Sequence, residues 1–128
     1  MPYNDTPYEE KEQQNLFYWA ALQCGKYPVL RKMYHIPNGG KRGKAEAARF
    51  KTGGVKKGVP DIHLPVARGG YHSLYIELKR IKGGRLEPEQ RTWIADLQEE
   101  GNCVEVCKGW DAAVIVIIDY LEGKLVKQ

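Results

Sequence analysis

Apolar residues recur at helical spacing in three stretches of the chain. The longest, Asp5 to Gln23, has acidic residues in its first turn and a wide apolar stripe after them, as expected of an amphipathic helix. Similar periodicity predicts helices from Glu87 to Glu100, which has a proline near its start and a glycine after its end, and from Trp110 to Tyr120. A short helix is also predicted from Lys44 to Phe50.

Alternation of apolar and polar residues with period two predicts the strands. The region from Gly58 to Lys79 contains two such arms joined by two glycines, which indicates a β-hairpin. Further strands are predicted from Val29 to Ile36, before a turn rich in proline and glycine, and from Cys103 to Lys108. We therefore expect a single α/β domain over residues 1–128, with a mixed sheet.

A turn centred on Gly69 would set the two hairpin arms in one antiparallel register. The expected pairs are Val66 with His72, Leu64 with Leu74, Ile62 with Ile76, and Asp61 with Glu77. One face of the hairpin is then largely apolar. The other face carries Asp61, His63, Tyr75, Glu77 and Lys79. Because directly paired residues have Cβ atoms roughly 5 Å apart, two carboxylates would converge beside a lysine.

Two facing carboxylates repel one another unless a cation lies between them, and a hard divalent ion with oxygen ligands is the usual solution. Lys79 points the same way as Glu77 and reaches whatever such an ion holds. The same residues also fit a solvated hairpin face with ordinary surface ion pairs. A slip of one residue in register would separate Asp61 from Glu77, so both interpretations stay open at this point.

The positive charge of the chain is concentrated in one segment. The whole chain has a net charge of +4, whereas residues 41–57 contain a single acid, Glu46, and seven basic residues. The basic residues are Lys41, Arg42, Lys44, Arg49, Lys51, Lys56 and Lys57. Such a concentration is typical of a surface that binds a phosphate backbone. A solvated helix and loop is the alternative.

Composition and spacing exclude several classes of protein. Three cysteines without a paired CxxC spacing argue against a disulfide framework and a structural zinc site, and they indicate reduced thiols in a cytosolic protein. No run of about 18 apolar residues exists and the N-terminus is polar, so neither a membrane span nor a signal peptide is predicted. The glycine-rich residues 39–44 lack the spacing and the hydroxyl residue of a nucleotide-binding P-loop.

The hairpin also carries two motifs of a known kind. Gly58-Val59-Pro60-Asp61 followed by Ile76-Glu77-Leu78-Lys79 is similar to the signature of the PD-(D/E)xK nucleases. Three further features narrow the likeness: Glu9 with Gln13, His35-Ile36-Pro37-Asn38-Gly39-Gly40, and Pro88-Glu89-Gln90. Together they resemble the virus-type replication-repair nuclease family, VRR-NUC, over nearly the full chain. The resemblance implies a restriction-endonuclease-like core, with a mixed β-sheet flanked by helices.

The resemblance implies a role for each polar group of the hairpin motifs. Asp61 and Glu77 would coordinate magnesium or manganese, with the backbone carbonyl of Leu78 as a further ligand. Lys79 would position the attacking water or help to deprotonate it. A divalent ion held by carboxylates supplies much of what phosphodiester hydrolysis needs, and a lysine beside the water adds positive charge. The number of ions, one or two, stays open.

The family pattern also implies site residues on two helices. Glu9 matches the acid of the first helix, which contacts the metal directly or through water, although Glu10 and Glu12 lie beside it in the sequence. Gln13 and Gln90 match the supporting glutamines of the family. We therefore expect the first and third helices to complete the site around the hairpin.

The resemblance implies a metal-dependent DNA endonuclease. Stand-alone members of the family resemble enzymes that resolve branched DNA such as Holliday junctions, which implies a homodimer and a bacteriophage or prophage setting, in the host cytoplasm. Asn38, in the matching turn, would contact DNA together with the basic residues of segment 41–57. The candidates for a dimer surface are Trp110 and the region from Tyr3 to Tyr8.

Two other functions fit parts of the sequence. A DNA-binding or architectural module without cleavage activity would use segment 41–57 alone, but it needs no convergent set of acids and lysine. A small-molecule metallohydrolase would need closely spaced zinc ligands, whereas the three histidines are scattered: His35, His63 and His72. His63 is predicted to be a strand residue with satisfied hydrogen bonds rather than a ligand.

Overall fold

The computed structural model describes residues 9–37 and 44–128, except for the side chains of Lys44, Ala47 and Phe50. The predicted helix start at Asp5 and the predicted DNA contacts Asn38, Lys41 and Arg42 lie outside the described residues. The helices are α1 Glu9–Leu22, α2 Lys44–Thr52, α3 Pro88–Glu99 and α4 Trp110–Leu121, with a short 3₁₀ helix at Pro28–Lys32. The strands are β1 Tyr34–His35, β2 Ile62–Leu64, β3 Leu74–Lys79 and β4 Cys103–Lys108.

The four strands form one mixed sheet in the order β1-β2-β3-β4. β2 pairs antiparallel with both β1 and β3, whereas β3 and β4 run parallel and are connected through α3. Two parallel neighbouring strands need such a crossover because a short turn cannot return the chain to the end of the sheet at which the first strand began. The predicted α/β fold, a mixed sheet flanked by helices, is confirmed.

The hairpin has the predicted register over its paired residues. Ile62 lies opposite Ile76 and Leu64 opposite Leu74, which leaves the expected set of polar residues on the other face. The pairing predicted for Val66 with His72 is wrong, because the Val66 N–H turns back to the Leu64 carbonyl and the His72 N–H donates to the carbonyl of Gly101. The intervening proline has no N–H for the ladder, so the ladder ends at Leu64.

The strand predicted from Val29 to Ile36 is also wrong for most of its length. The chain forms the 3₁₀ helix first, and only Tyr34–His35 pairs with β2. Pro28 favours the helical turn because its ring fixes φ and it has no N–H to donate. Leu30 and Met33 are both buried, and a spacing of three residues places them on one side of a 3₁₀ turn.

The two faces of the sheet are covered differently. α1 and α4 pack on the face that carries the buried leucines and isoleucines of β2 and β3. α3 lies against the opposite face, where it packs mainly on β4, and its inward side chains are only half-buried. Glu77 and Lys79 alternate with the buried apolar residues of β3, so they point to this less covered face. Within residues 9–37 and 44–128, the structure contains no helix of the length and apolarity that crossing a membrane requires.

Candidate active site

Asp61 immediately precedes β2, and hydrogen bonds hold it from both sides. Its carbonyl accepts the Ile36 N–H at 2.7 Å and lies 3.0 Å from Nδ1 of His35, which links it to β1. Its carboxylate oxygen Oδ2 accepts the Leu78 N–H at 2.9 Å, which links it to β3. The carboxylate of Asp61 is therefore fixed at the edge of β3, beside Glu77.

Gly58 allows the chain to reach this position. Its φ is +95°, and a Cβ atom there would lie 2.7 Å from the Cβ of Glu89 in the first turn of α3. Only glycine adopts this backbone conformation and this close approach without strain. The glycine of the Gly58-Val59-Pro60-Asp61 motif thus brings the loop before Asp61 against the start of α3, which supplies Gln90 to the site.

Glu77 is a buried carboxylate that faces a second one. Its side chain is 1% exposed, and no hydrogen-bond donor among the described residues reaches its Oε1 atom. Burial, followed by the negative charge of Asp61, raises the pKa of Glu77 to about 8. Burial also raises the pKa of Asp61, and a hydrogen bond joins the two carboxyl groups when one of them carries a proton. The pair is electrostatically unfavourable without a cation.

Gln90 connects the acid and the lysine of the hairpin. Its Nε2 donates to Oε2 of Glu77 at 3.0 Å, and its Oε1 accepts from Nζ of Lys79 at 3.0 Å and from the Glu87 N–H at 2.8 Å. The last bond belongs to the capping box at the start of α3, so helix capping fixes the orientation of this amide. Lys79, which is 5% exposed, also lies 3.5 Å from Oε2 of Glu77.

The acids of α1 have separate positions. Oε1 of Glu9 lies 4.0 Å from Nζ of Lys79, and burial raises the pKa of Glu9 while Lys79 lowers it. Glu12 is buried, and its Oε1 accepts the Trp110 N–H at 2.9 Å, where it caps the start of α4. Glu10 is exposed. Of the three acids, Glu9 is the one that reaches the site.

Comparison with known proteins agrees with this geometry. A sequence profile of the VRR-NUC domain matches residues 6–111. The chain belongs to the VRR-NUC family. A solved structure described as a VRR-NUC domain protein is similar to this chain, with 35% sequence identity and a TM-score of 0.80. The match covers 94% of this chain and 93% of the chain in that structure. A comparison with curated proteins returned no match.

Family membership confirms the resemblance and gives the site its chemical context. The chain carries a VRR-NUC nuclease domain, which implies DNA as the substrate, and nucleases of this type are generally metal-dependent. Asp61, Glu77, Lys79, Gln90 and Glu9, the residues predicted from the motifs, lie together in the structure. Gln13 is half-buried one turn further along α1 and takes no part in the hydrogen bonds described around Lys79.

The oxygen donors of the VRR-NUC site fit a hard divalent ion. No three His, Cys, Asp or Glu side chains form a ready metal cluster in the described part of the chain, so the candidate set is two carboxylates and a main-chain carbonyl. The Leu78 N–H points to Asp61, and because both polar groups of one strand residue point to the same edge, its carbonyl does so too. The buried Oε1 atom of Glu77 has no donor among the residues that the structure describes, and such an ion would give it a partner.

The basic segment of the VRR-NUC domain is exposed where it is described. Four of its side chains are open to solvent: Arg49, Lys51, Lys56 and Lys57. Nζ of Lys57 lies 3.6 Å from Oε1 of Glu89, at the start of α3 and close to Gln90 in sequence. The C-terminal end of the segment therefore borders the site. The side chain of Lys44 is not described.

Sequence reasoning did not find a second polar network on the same sheet face. The Tyr34 hydroxyl lies 2.7 Å from Nδ1 of His63, and Nε2 of His63 lies 2.9 Å from the hydroxyl of Ser73. Ser73 in turn donates to Oδ1 of Asn102 at 2.7 Å. His63 therefore has both ring nitrogens satisfied, as predicted. The motifs contain no signal for the other residues of this network, because they come from three separate segments.

Glu12→Ala should lower stability through loss of a helix cap. Removing the carboxylate leaves the partly buried Trp110 N–H without its acceptor, which should reduce the free energy of unfolding by about 1–3 kcal/mol. Glu10→Ala, two residues earlier and exposed, is the matched control and should stay within about 0.5 kcal/mol of the wild type. Urea unfolding measures both variants. Equal stability of the two variants would contradict the capping role.

Proposed function

We propose that this VRR-NUC protein is a metal-dependent DNA endonuclease that hydrolyses phosphodiester bonds with Mg²⁺, or with Mn²⁺ in its place. One observation carries the proposal: the buried Glu77 carboxylate faces Asp61 beside a buried lysine, and its Oε1 has no donor within residues 9–37 and 44–128. Such a set is costly to bury for structure alone, because two like charges repel in a medium of low dielectric. It is favourable when it holds a cation.

Each residue of the site would have its own role in hydrolysis. Asp61, Glu77 and the Leu78 carbonyl would hold the ion, which when bound supplies charge stabilisation to the phosphate and favours ionisation of a water. Lys79, held by Gln90, presents a positive charge beside the carboxylates and is placed to orient the attacking water or accept its proton. Oε1 of Glu9 lies 4.0 Å from Nζ of Lys79, and Glu9 would bind the ion directly or through water.

Branched DNA, such as a Holliday junction, is the substrate we propose. Two symmetry-related cuts in a junction require two active sites, which a homodimer with a two-fold axis provides. The exposed lysines next to α3 support an approach of the phosphate backbone to the site. The proposed cellular setting is the cytoplasm of a bacterial host.

Cleavage assays on labelled DNA test the proposal. The protein is incubated with a four-way junction and with linear duplex of the same sequence, in magnesium, in manganese and in chelator. We expect cleavage only with metal, and faster on the junction. Binding of DNA without cleavage under any of these conditions would favour an architectural module, whereas equal cleavage of both substrates would keep the nuclease and remove its preference for branches.

The outer surface of α1 and α4 is the dimer interface that we propose. α4 is apolar nearly all round, and Ile115, on the side away from the sheet, is 62% exposed. Tyr18 and Leu22 occupy the corresponding side of α1, which packs beside α4, and are 70% and 65% exposed. Trp110, predicted as a dimer contact, is half-buried against the core, and the region from Tyr3 to Tyr8 lies outside the described residues.

Ile115→Asp should convert the proposed dimer into a monomer. In a two-fold interface the new carboxylate lies opposite the same carboxylate of the second copy. Dimer formation would therefore bury both charges among apolar residues and bring two like charges together. Light scattering after size exclusion measures the mass, and Val126→Asp, an exposed apolar residue of the C-terminal tail, is the control that should keep the dimer. A wild-type protein that is monomeric at every concentration would remove this interface.

A further inference from the structure

Three aromatic rings form a row across the sheet beside the candidate active site. His63 of β2 stacks on Tyr75 of β3, with ring centroids 4.1 Å apart and planes 14° apart. Tyr34 of β1 meets His63 edge to face, with centroids 5.4 Å apart. The strand pairing places all three side chains on one face, since Tyr34 lies opposite His63 and His63 opposite Tyr75. Tyr75 precedes Glu77 by two residues, so this is the face of the active site.

The row lies one side-chain position away from the proposed metal ligands. His63 follows Asp61 by two residues and Tyr75 precedes Glu77 by two, so along both strands the separation is about 7 Å. That distance corresponds to about two nucleotide steps of 3.4 Å along one DNA strand. A nucleotide about two steps from the phosphate at the proposed metal site of Asp61 and Glu77 would therefore lie over the aromatic row.

Hydrogen bonds fix the rings in place. Asn102 donates through Nδ2 to the Leu97 carbonyl, so its Oδ1 accepts the hydroxyl proton of Ser73. His63 then donates through Nε2 to the Ser73 oxygen and accepts the Tyr34 hydroxyl proton at Nδ1. Ser73 and His63 are therefore not a catalytic serine–histidine pair. A serine nucleophile would donate its hydroxyl proton to the histidine, whereas Ser73 donates that proton to Asn102.

Tyr34 remains partly open to solvent although its hydroxyl group is bound. The residue is 48% exposed. In the described part of the chain, α1 and α4 pack on the other face of the sheet and α3 packs mainly on β4, so no helix covers the row at β1. An aromatic side chain that is oriented in advance and exposed loses little conformational entropy when it contacts a ligand.

We propose that Tyr34 stacks on an unpaired base about two nucleotides from the scissile phosphate, and that this contact makes the enzyme prefer DNA whose bases are unstacked near the cut. The inference rests on the proposed nuclease function and names the class of substrate: a branch point or another site where a base leaves the duplex. Stacking on an aromatic ring accepts any base, because every base has a π-face. Preference then follows from DNA structure and not from sequence.

Tyr34→Leu and Tyr34→Phe separate the ring from its hydroxyl. Junction substrates carry one abasic nucleotide, moved stepwise through the positions around the branch point, and affinity is measured by fluorescence anisotropy in chelator. For the wild type and Tyr34→Phe we expect one position at which loss of the base weakens binding about tenfold. For Tyr34→Leu we expect the same weakened affinity with and without that base.

Each other outcome overturns the proposal. If Tyr34→Leu weakens binding to abasic DNA by the same factor as binding to intact DNA, so that loss of the base still costs about tenfold, the tyrosine acts through its hydrogen bond to His63 and holds β1. The same conclusion follows if Tyr34→Phe behaves as Tyr34→Leu. If no abasic position matters for the wild type, no base is stacked there. The binding measurement needs no cleavage, so a wild-type protein with a base-dependent position but without metal-dependent cleavage would refute the nuclease and keep the stacking contact.

Discussion

Glu77→Gln is expected to abolish metal-dependent cleavage and, in the metal-free protein, to raise the melting temperature. Activity should fall about 10³-fold or more, because a neutral amide is a poor ligand and several kcal/mol of charge stabilisation are lost with the ion. The gain in stability is expected above about pH 8, where native Glu77 loses its proton and two carboxylates face each other. A glutamine can still donate to Asp61 there and accept from Gln90. Cleavage assays and thermal unfolding in chelator measure the two effects.

The stability of the metal-free wild type should also fall as pH rises. The pKa of Glu77 is about 8 in the folded protein, against 4.5 for the free side chain. Between these values the folded protein retains a proton that the unfolded chain has lost, so the free energy of unfolding decreases with pH across this window. Glu77→Gln should flatten that dependence, and added magnesium should restore stability at the alkaline end.

Glu105→Gln is the matched control for these measurements. Glu105 is another half-buried strand carboxylate whose pKa burial raises, but it pairs with Ile76 and so lies on the face opposite the site. Its substitution should leave cleavage unchanged. A Glu77→Gln protein that cleaves DNA at nearly the wild-type rate, or a metal-free wild type that becomes more stable from about pH 5 to about pH 8, would contradict our account of the carboxylate pair.

Lys79→Met should also remove activity, with the opposite effect on stability. Cleavage should fall by about 10²–10⁴-fold, as expected when a group that orients or deprotonates the water is lost. The variant should be less stable than the wild type because Glu77 keeps its buried carboxylate but loses the cation 3.5 Å away. Single-turnover cleavage and thermal unfolding, both with and without magnesium, test the two expectations.

Lys124→Met provides the comparison, since Lys124 is an exposed lysine of the C-terminal tail whose contact is Glu122. It should match the wild type in rate and stability. Calorimetric titration of metal into Lys79→Met separates two roles of the lysine: unchanged metal affinity with lost cleavage indicates an action on the water, whereas lost metal affinity indicates that Lys79 mainly orders Glu77. Full activity of Lys79→Met would exclude both.

The motifs and the alternation of the hairpin were sufficient to predict that the carboxylates of the candidate site face each other. A slip of one residue would move every side chain of β2 to the wrong face, so the apolar pattern permits one register, and that register places Asp61 beside Glu77. Glycine and proline positions likewise marked the ends of α3. Val29 to Ile36 was harder to predict, because a short apolar run with a proline at its start fits a strand or a 3₁₀ turn until its packing is known.

The sequence by itself determined the family, the mixed sheet and the facing acids, because these depend on local pattern and on motif spacing. Only the tertiary structure showed which acid of α1 lies near Lys79. Glu9 is 4.0 Å from it, whereas Glu12 accepts an N–H of α4 that lies 98 residues further along the chain. The tertiary structure also brought Gln90 to Glu77 and Lys79 and placed Tyr34 against His63. These contacts join distant segments, and long-range contacts depend on how elements pack rather than on any pattern within one element.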